Sequence, residues 1–165
     1  LILARLEVTN KKPAEAKKYI AKALEIKPDY GEALFLRSQL ELSENNSKAA
    51  IATMITVASL YPTDPNVFFQ LGLLQYNSKD YTSAVPSFER SVILNNYYAN
   101  ARYFLGLSYA NLNRDKDAIT QFEIIEKIDP NSKGEVDPII ANIKAGRAPL
   151  AKPVVEETKT PAKKK

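Results

Sequence analysis

The chain contains no cysteine and no histidine among its 165 residues. These two absences exclude thiolate nucleophiles, imidazole bases, disulfide bonds and zinc sites built from nitrogen or sulfur ligands. Long hydrophobic runs are also missing, because no stretch approaches the roughly 18 consecutive apolar residues of a membrane-spanning helix. Most common designs for catalysis are therefore excluded, and we expect no cofactor, no metal and no direct membrane insertion of this segment.

Methionine is almost absent as well. The single methionine is Met54, and the chain begins at Leu1. The sequence is therefore expected to be cut from a longer protein, with further domains of the parent chain upstream.

Positive charge is concentrated at one end of the chain. The formal net charge is +4, and residues 147–165 contain six Lys or Arg against two Glu, so the remaining body is neutral. Binding to nucleic acid phosphates requires Lys or Arg side chains to displace counterions, so the neutral body argues against a nucleic acid partner. The Pro and Lys content of residues 147–165 predicts a flexible tail. A solvated tail is the simpler interpretation, and weak contact with a membrane surface or nucleic acid is the alternative.

The chain does contain a pattern that recurs at one constant spacing, with a small residue at its centre in Ala16, Ala50, Ala84 and Ala118. Four positions later comes a bulky apolar residue, at Ile20, Met54, Phe88 and Phe122. Twelve positions before the centre lies another small residue, at Ala4, Ser38, Gly72 and Gly106, and twelve after it lie Pro28, Pro62, Asn96 and Pro130. Apolar residues between these markers recur at helical spacing, which predicts two helices in every unit.

This pattern resembles the tetratricopeptide repeat family, whose motif is W-x2-L-G-x2-Y, then A-x3-F, then P, with a period of about 34 residues. The copy most similar to it is Arg102, Leu105, Gly106, Tyr109, Ala118, Phe122 and Pro130. The resemblance covers about residues 1–132. It implies an all-α fold, a right-handed α-solenoid of about four antiparallel helix pairs, the first one truncated. The units are expected at about 1–30, 31–64, 65–98 and 99–132.

A C-terminal capping helix is expected over 133–146, because the last unit would otherwise expose an apolar face. Apolar residues share one face of this segment, at Val136, Ile139, Ile140 and Ile143. Asp137 before Pro138 is typical of a helix start, and Gly146 of a helix end. The predicted domain is therefore residues 1–146, followed by the tail at 147–165.

Two departures from the family motif have structural consequences. Arg37 replaces a buried Leu and Glu41 replaces an aromatic residue, but the two can form an ion pair at i, i+4. Pro86 falls inside the second helix of its unit, where a proline costs about 3 kcal/mol in a helix interior. A kink, or a helix start near Thr82 or Ser83, is expected there.

The family resemblance implies that one stripe of each first helix lines a concave groove. The predicted peptide-binding residues on and beside this stripe are Phe35, Gln39, Asn66, Phe69, Gln70, Leu73, Tyr76, Asn77, Asn100, Tyr103, Leu107 and Asn111. In one interpretation the aromatic residues anchor apolar side chains of a ligand while the amides bind its backbone. In the other, the aromatic residues serve only to pack adjacent repeats.

The sequence therefore predicts a non-catalytic scaffold that binds a protein or peptide. The Lys, Asn and Arg clamp with which family members bind acidic chaperone tails is not matched, since the corresponding positions include Phe35, Gln39, Gln70, Asn100 and Phe104. The alternative is a structural appendage of a larger bacterial membrane-associated or envelope protein, such as a polysaccharide polymerase or ligase.

Overall fold

The computed structural model describes residues 2–3 and 13–151, and this part of the chain contains α-helices and one 3-10 turn but no β-strand. The helices over 13–151 are α1 (Pro13–Ile26), α2 (Gly31–Ser43), α3 (Ser47–Leu60), α4 (Pro65–Asn77), α5 (Tyr81–Leu94), α6 (Ala99–Asn111), α7 (Asp115–Ile128) and α8 (Lys133–Lys144). The 3-10 turn (Pro130–Ser132) precedes α8. None of the described helices is long and apolar enough to cross a lipid bilayer.

The helix boundaries recur at the predicted period without drift. First helices begin at 31, 65 and 99, and second helices begin at 13, 47, 81 and 115. The capping helix α8 begins at 133, which is the place where the first helix of another unit would begin. Each helix packs mainly against its neighbours in sequence, as expected for a solenoid. The predicted fold class is confirmed. We refer to the units at 1–30, 31–64, 65–98 and 99–132 as repeats 1, 2, 3 and 4.

The first helices of repeats 2, 3 and 4 end in the same left-handed turn. Asn45, Lys79 and Asn113 have φ angles of 60°, 62° and 58°, and they occupy the same position in successive repeats. In repeat 3, the N–H of Lys79 donates to the carbonyl of Tyr76, and the N–H of Asp80 donates to that of Gln75. These paired bonds define a Schellman motif, which satisfies the last carbonyls of the helix. The turn then starts the second helix, because the Asp80 side chain accepts a hydrogen bond from the N–H of Ser83.

Within each pair, the two helices meet where one of them has almost no side chain. The alanines at the centre of the pattern, Ala16, Ala50, Ala84 and Ala118, are all completely buried. A Cβ atom added to Gly72 would lie 2.6 Å from the ring of Phe88, and one added to Gly106 would lie 2.9 Å from the ring of Phe122. The aromatic rings therefore occupy the space that a larger residue would need.

A polar network replaces part of the apolar core in repeat 2. Arg37 Nε donates to Glu41 Oε1 at 3.0 Å, as the sequence predicts. The network extends to a third residue, because the buried Thr53 hydroxyl donates to Glu41 Oε2 at 2.8 Å. The N-terminal part of the core forms two small apolar clusters, whereas the core from Phe69 to Ile143 is continuous.

Two prolines lie in helix interiors rather than at helix starts. α5 begins at Tyr81, so Pro86 lies in its second turn and the predicted late start is wrong. α8 begins at Lys133, so the start predicted at Asp137 and Pro138 is also wrong. Both prolines are exposed, and each follows the first helical residue by five positions. The 3-10 turn before α8 explains the second difference, because it leads the chain into the helix earlier.

The chain remains attached to α8 beyond the predicted end of the domain. Gly146, at φ 66°, ends the helix, as its sequence position predicts. The buried amide of Asn142 then donates to the carbonyls of Pro149 at 3.0 Å and Ala151 at 2.9 Å. Residues 147–151 are thus fixed to the cap. The rest of the predicted tail, 152–165, lies outside the described residues.

The close contact between paired helices predicts opposite effects at two glycines. Gly106→Leu should lower the free energy of unfolding by about 1–3 kcal/mol or more, because the added side chain overlaps Phe122. Gly134→Ala in α8 is the control, since its added Cβ has nothing within 4 Å. It should be neutral or stabilise by up to about 1 kcal/mol through helix propensity. Urea unfolding of both variants makes the comparison, and an unaffected Gly106→Leu protein would contradict the packing described here.

The hydrogen bonds of the Asn142 amide predict how far the C-terminal end can be shortened without loss of stability. Ending the protein after Ala151 should leave the thermal unfolding temperature unchanged. Ending it after Gly146 should cost about 1–2 kcal/mol, because the Asn142 amide loses two carbonyl partners. Equal melting temperatures for the two truncated proteins would show that residues 147–151 contribute nothing to the fold.

Candidate functional site

The first helices of successive repeats lie side by side and form one face of the solenoid, with α4 and α6 in direct contact. The twelve predicted binding residues on this face differ in exposure. The exposed ones are the amides Gln39, Asn66, Asn77, Asn100 and Asn111. The half-buried ones are Phe35, Gln70, Leu73, Tyr76 and Tyr103. Phe69 and Leu107 are only 8% and 2% exposed, so they offer a ligand little surface.

One crevice on this face opens between repeats 2 and 3, and another opens between repeat 4 and the capping helix α8. The repeat 2 crevice has a volume of about 550 Å³ and is lined by Gly31, Glu32, Phe35, Val57, Tyr61, Asp64, Asn66, Val67 and Gln70. The repeat 4 crevice has a volume of about 350 Å³ and is lined by Ala99, Asn100, Tyr103, Phe104, Ile125, Asp129, Ser132, Glu135 and Val136. Five of the predicted residues are thus brought into crevices, namely Phe35, Asn66, Gln70, Asn100 and Tyr103.

The two crevices are the same site in two copies. Residues that lie two repeats apart line both of them, in the pairs Gly31 and Ala99, Glu32 and Asn100, Phe35 and Tyr103, Val57 and Ile125, Tyr61 and Asp129, and Asp64 and Ser132. Each crevice therefore consists of an aromatic wall from the first helix, an aliphatic floor from the second helix, and a polar rim from the loop to the next repeat.

The corresponding place in repeat 3 is filled by a side chain of the protein. Tyr98 occupies the position that Asp64 has in repeat 2 and Ser132 has in repeat 4. Its ring packs against Phe69, with a centroid distance of 4.9 Å, and its hydroxyl donates to Asn66 Oδ1 at 3.1 Å. This contact buries Phe69 and separates the two open crevices.

Phe104 connects the aromatic residues behind the groove. Its ring centroid lies 5.4 Å from that of Tyr76, 5.6 Å from that of Tyr103 and 6.1 Å from that of Phe69. Edge-to-face ring contacts at such distances stabilise a fixed arrangement. The groove between repeats 3 and 4 is therefore a preformed surface, and Tyr103 presents one side of its ring to the repeat 4 crevice.

Carboxylates that line the crevices raise the pKa of neighbouring tyrosines. Burial raises the pKa of Tyr98, and the negative charge of Asp64 raises it further. Burial likewise raises the pKa of Tyr103, with a second contribution from Glu135. The described lining of the two crevices contains Glu32, Asp64, Asp129 and Glu135 but no Lys or Arg. Within the described residues no group of three or more acidic side chains is placed to hold a metal ion.

Some predicted hydrogen-bonding groups are already used within the protein. Asn111 Nδ2 donates to the carbonyl of Leu107 at 2.8 Å, and Asn66 Oδ1 accepts from Tyr98. Three lining residues are not among those predicted from sequence, namely Tyr61, Asp64 and Asp129, because they come from the ends of the repeats rather than from the first helices. A comparison of the final positions of each unit would have revealed them, because these positions differ in chemistry from one repeat to the next.

Helix pairs of constant length, stacked in one direction with a groove along their first helices, define a helical repeat protein of the solenoid class. The family model described as Tetratricopeptide repeat matches residues 2–65 and 69–133. The chain therefore belongs to the tetratricopeptide repeat family, as its motif indicates. A search of curated protein sequences finds no significant match.

Solved structures share this fold at low sequence identity. The crystal structure of MamA superposes with a TM-score of 0.76 at 23% identity, covering 87% of this chain and 84% of MamA. YrrB, described as a TPR protein with an unusual peptide-binding site, gives 0.73 at 22% identity, covering 87% and 73%. The first TPR of Spaghetti (RPAP3), bound to the HSP90 peptide SRMEEVD, gives 0.60 at 16% identity, covering 70% and 94%.

The different surroundings of two equivalent phenylalanines predict different costs of truncation. Phe69→Ala should lower the free energy of unfolding by about 3–5 kcal/mol, because Phe69 is buried against Phe88, Tyr98 and Phe104. Phe35→Ala, at the same repeat position but half-buried in an open crevice, should cost about 1 kcal/mol. Urea unfolding measures both values. Equal costs would indicate that the repeat 2 crevice is closed in solution.

Proposed function

We propose that this chain is a non-catalytic scaffold that holds a protein or peptide segment along the groove formed by α2, α4 and α6. The observation that carries this proposal is the pair of preformed crevices on that face. Each crevice joins an aromatic wall to amide groups, at Phe35 with Gln70 and at Tyr103 with Asn100. Recognition of an extended segment needs this combination, since apolar pockets hold side chains while polar groups bind the backbone.

Structures with the same fold support the proposal. RPAP3 has been solved with a bound peptide, and YrrB is described by its peptide-binding site. At identities of 16% and 22%, these structures share the fold of this chain but do not indicate which ligand it binds. The choice of ligand must therefore come from the side chains that line this groove.

The proposed binding residues fall into two groups. Phe35 and Tyr103 act as anchors, because each has a partly exposed ring in an open crevice. The exposed amides Gln39, Asn77 and Asn100 bind the backbone of the segment beside the anchors. Phe69 and Leu107 support the surface from beneath, since both are buried.

Selection from a displayed library of random peptides, with the full chain as target, tests the proposal. Affinities of the recovered peptides are then measured for the groove variant Phe35→Ala/Tyr103→Ala. We expect a loss of about tenfold or more, because anchor residues of an interface each contribute about 1–2 kcal/mol or more.

The matched control is Ile55→Ala/Ile93→Ala, which removes two exposed apolar side chains from second helices. This variant should retain the wild-type affinity. Failure to recover any peptide, or an equal loss in groove variant and control, would contradict binding in the groove.

A further inference from the structure

The two open crevices carry negative charge at their rims. Asp64 lines the repeat 2 crevice, whereas Asp129 and Glu135 line the repeat 4 crevice. The ion pairs between described residues are Lys17–Glu44, Arg37–Glu41 and Arg114–Asp117, so none of them neutralises these three carboxylates. Two of the three are fixed in place, because Asp64 Oδ1 accepts from the N–H of Asn66 and Asp129 Oδ1 accepts from that of Asn131.

The carboxylates share each crevice with apolar side chains. In repeat 2 these include Phe35 and Val67, and in repeat 4 they include Tyr103 and Val136. A lysine or arginine side chain has matching chemistry, because its methylene groups pack on apolar surface while its charged end remains at the rim. The aromatic rings at these sites add attraction for a cation at close range.

Repeat 1 shows a cation at the corresponding positions. There the Lys27 ammonium lies 5.7 Å from the centroid of the Tyr30 ring, and these residues correspond to Tyr61 and Asp64 of repeat 2. A pocket in repeat 1 contains Ala23, Lys27 and Tyr30, which correspond to Val57, Tyr61 and Asp64 of the repeat 2 crevice, and Lys22 lines it as well. The chain thus supplies a cation of its own in repeat 1, whereas the described linings of the repeat 2 and repeat 4 crevices contain carboxylates and no Lys or Arg.

We propose that the groove selects a cationic peptide segment and places one lysine or arginine side chain in each of the repeat 2 and repeat 4 crevices. This inference rests on the proposed peptide-binding function. Tyr98 closes the intervening site in repeat 3, where Asn66 corresponds to Glu32 of repeat 2 and Asn95 corresponds to Asp129 of repeat 4. The two cationic side chains are therefore separated along the bound segment by a distance of two repeats, and residues without charge pass over Tyr98 at the closed site between them.

Isothermal titration of the full chain with two pools of short peptides tests this inference. The peptides are acetylated and amidated, and the pools are identical except that one carries lysine where the other carries glutamate. The acidic peptide SRMEEVD, known from the RPAP3 complex, is a third probe. We expect binding of the lysine pool only, and weaker binding at high salt because exposed charge pairs are screened.

A variant without the three rim carboxylates tests whether the crevices, and not other surface charges, bind the lysine pool. The variant is Asp64→Asn/Asp129→Asn/Glu135→Gln, in which asparagine preserves both capping hydrogen bonds. It should bind the lysine pool about 3–30-fold more weakly, as expected for the loss of three exposed charge pairs. The control is Asp80→Asn, which alters a capping carboxylate of the same kind outside both crevices and should leave the affinity unchanged.

The outcomes distinguish this inference from the proposed function. Equal binding of the two pools, preference for the glutamate pool or SRMEEVD, or unchanged affinity in the folded charge variant would overturn the cationic ligand while the peptide-binding function stands. If no pool binds but the display experiment recovers peptides, the cationic ligand is again overturned. Failure of both experiments to show any peptide binding would overturn the scaffold function itself.

Discussion

The structure depends on how closely the two helices of a pair can approach. This approach is possible only where one helix offers almost no side chain, and the ring of Phe88 or Phe122 fills the space above Gly72 or Gly106. Because the contact recurs at the same place in repeats 3 and 4, and the small residue Ser38 occupies that place in repeat 2, the paired helices can meet in the same way in these three repeats. First helices then lie beside one another on one face. The crevices between them follow from that spacing, since their walls belong to helices whose positions are fixed from within each pair.

One residue position decides whether a crevice is open. At the last residue of a repeat, Asp64 and Ser132 leave the space accessible, whereas the ring of Tyr98 occupies it. The helix boundaries are the same in all three repeats, so the difference lies in the side chain. The side chain at this position can thus differ between repeats, and open or close a crevice, without any change in the fold.

The repeat period could be predicted from sequence because it rests on local requirements. Small residues at fixed positions, helical spacing and turn residues all indicate the same boundaries, and the Arg37–Glu41 pair follows from their separation on one helix. The burial of Phe69 could not be predicted in this way, because Tyr98, which covers it, comes from the far end of the repeat. Helical periodicity assigns a face to a residue, but it does not show what a neighbouring loop places on that face. The attachment of residues 147–151 was missed for a similar reason, since proline-rich composition gives no sign of the Asn142 amide that holds them.

The capping helix has one more consequence. α8 begins where a first helix would begin, and its buried residues Val136, Ile139, Ile140 and Ile143 occupy the positions that first helices use against their neighbours. α8 therefore packs on α7 in the place where α6 packs on α5, although the contact is less extensive. A whole unit added or removed in register would keep a second helix in place to receive α8, so groove length is a quantity that gene duplication can change in steps. Removal of repeat 3 would place Asn100 and Phe104 of repeat 4 where Asn66 and Gln70 now line the repeat 2 crevice, so the two acidic crevices would become direct neighbours.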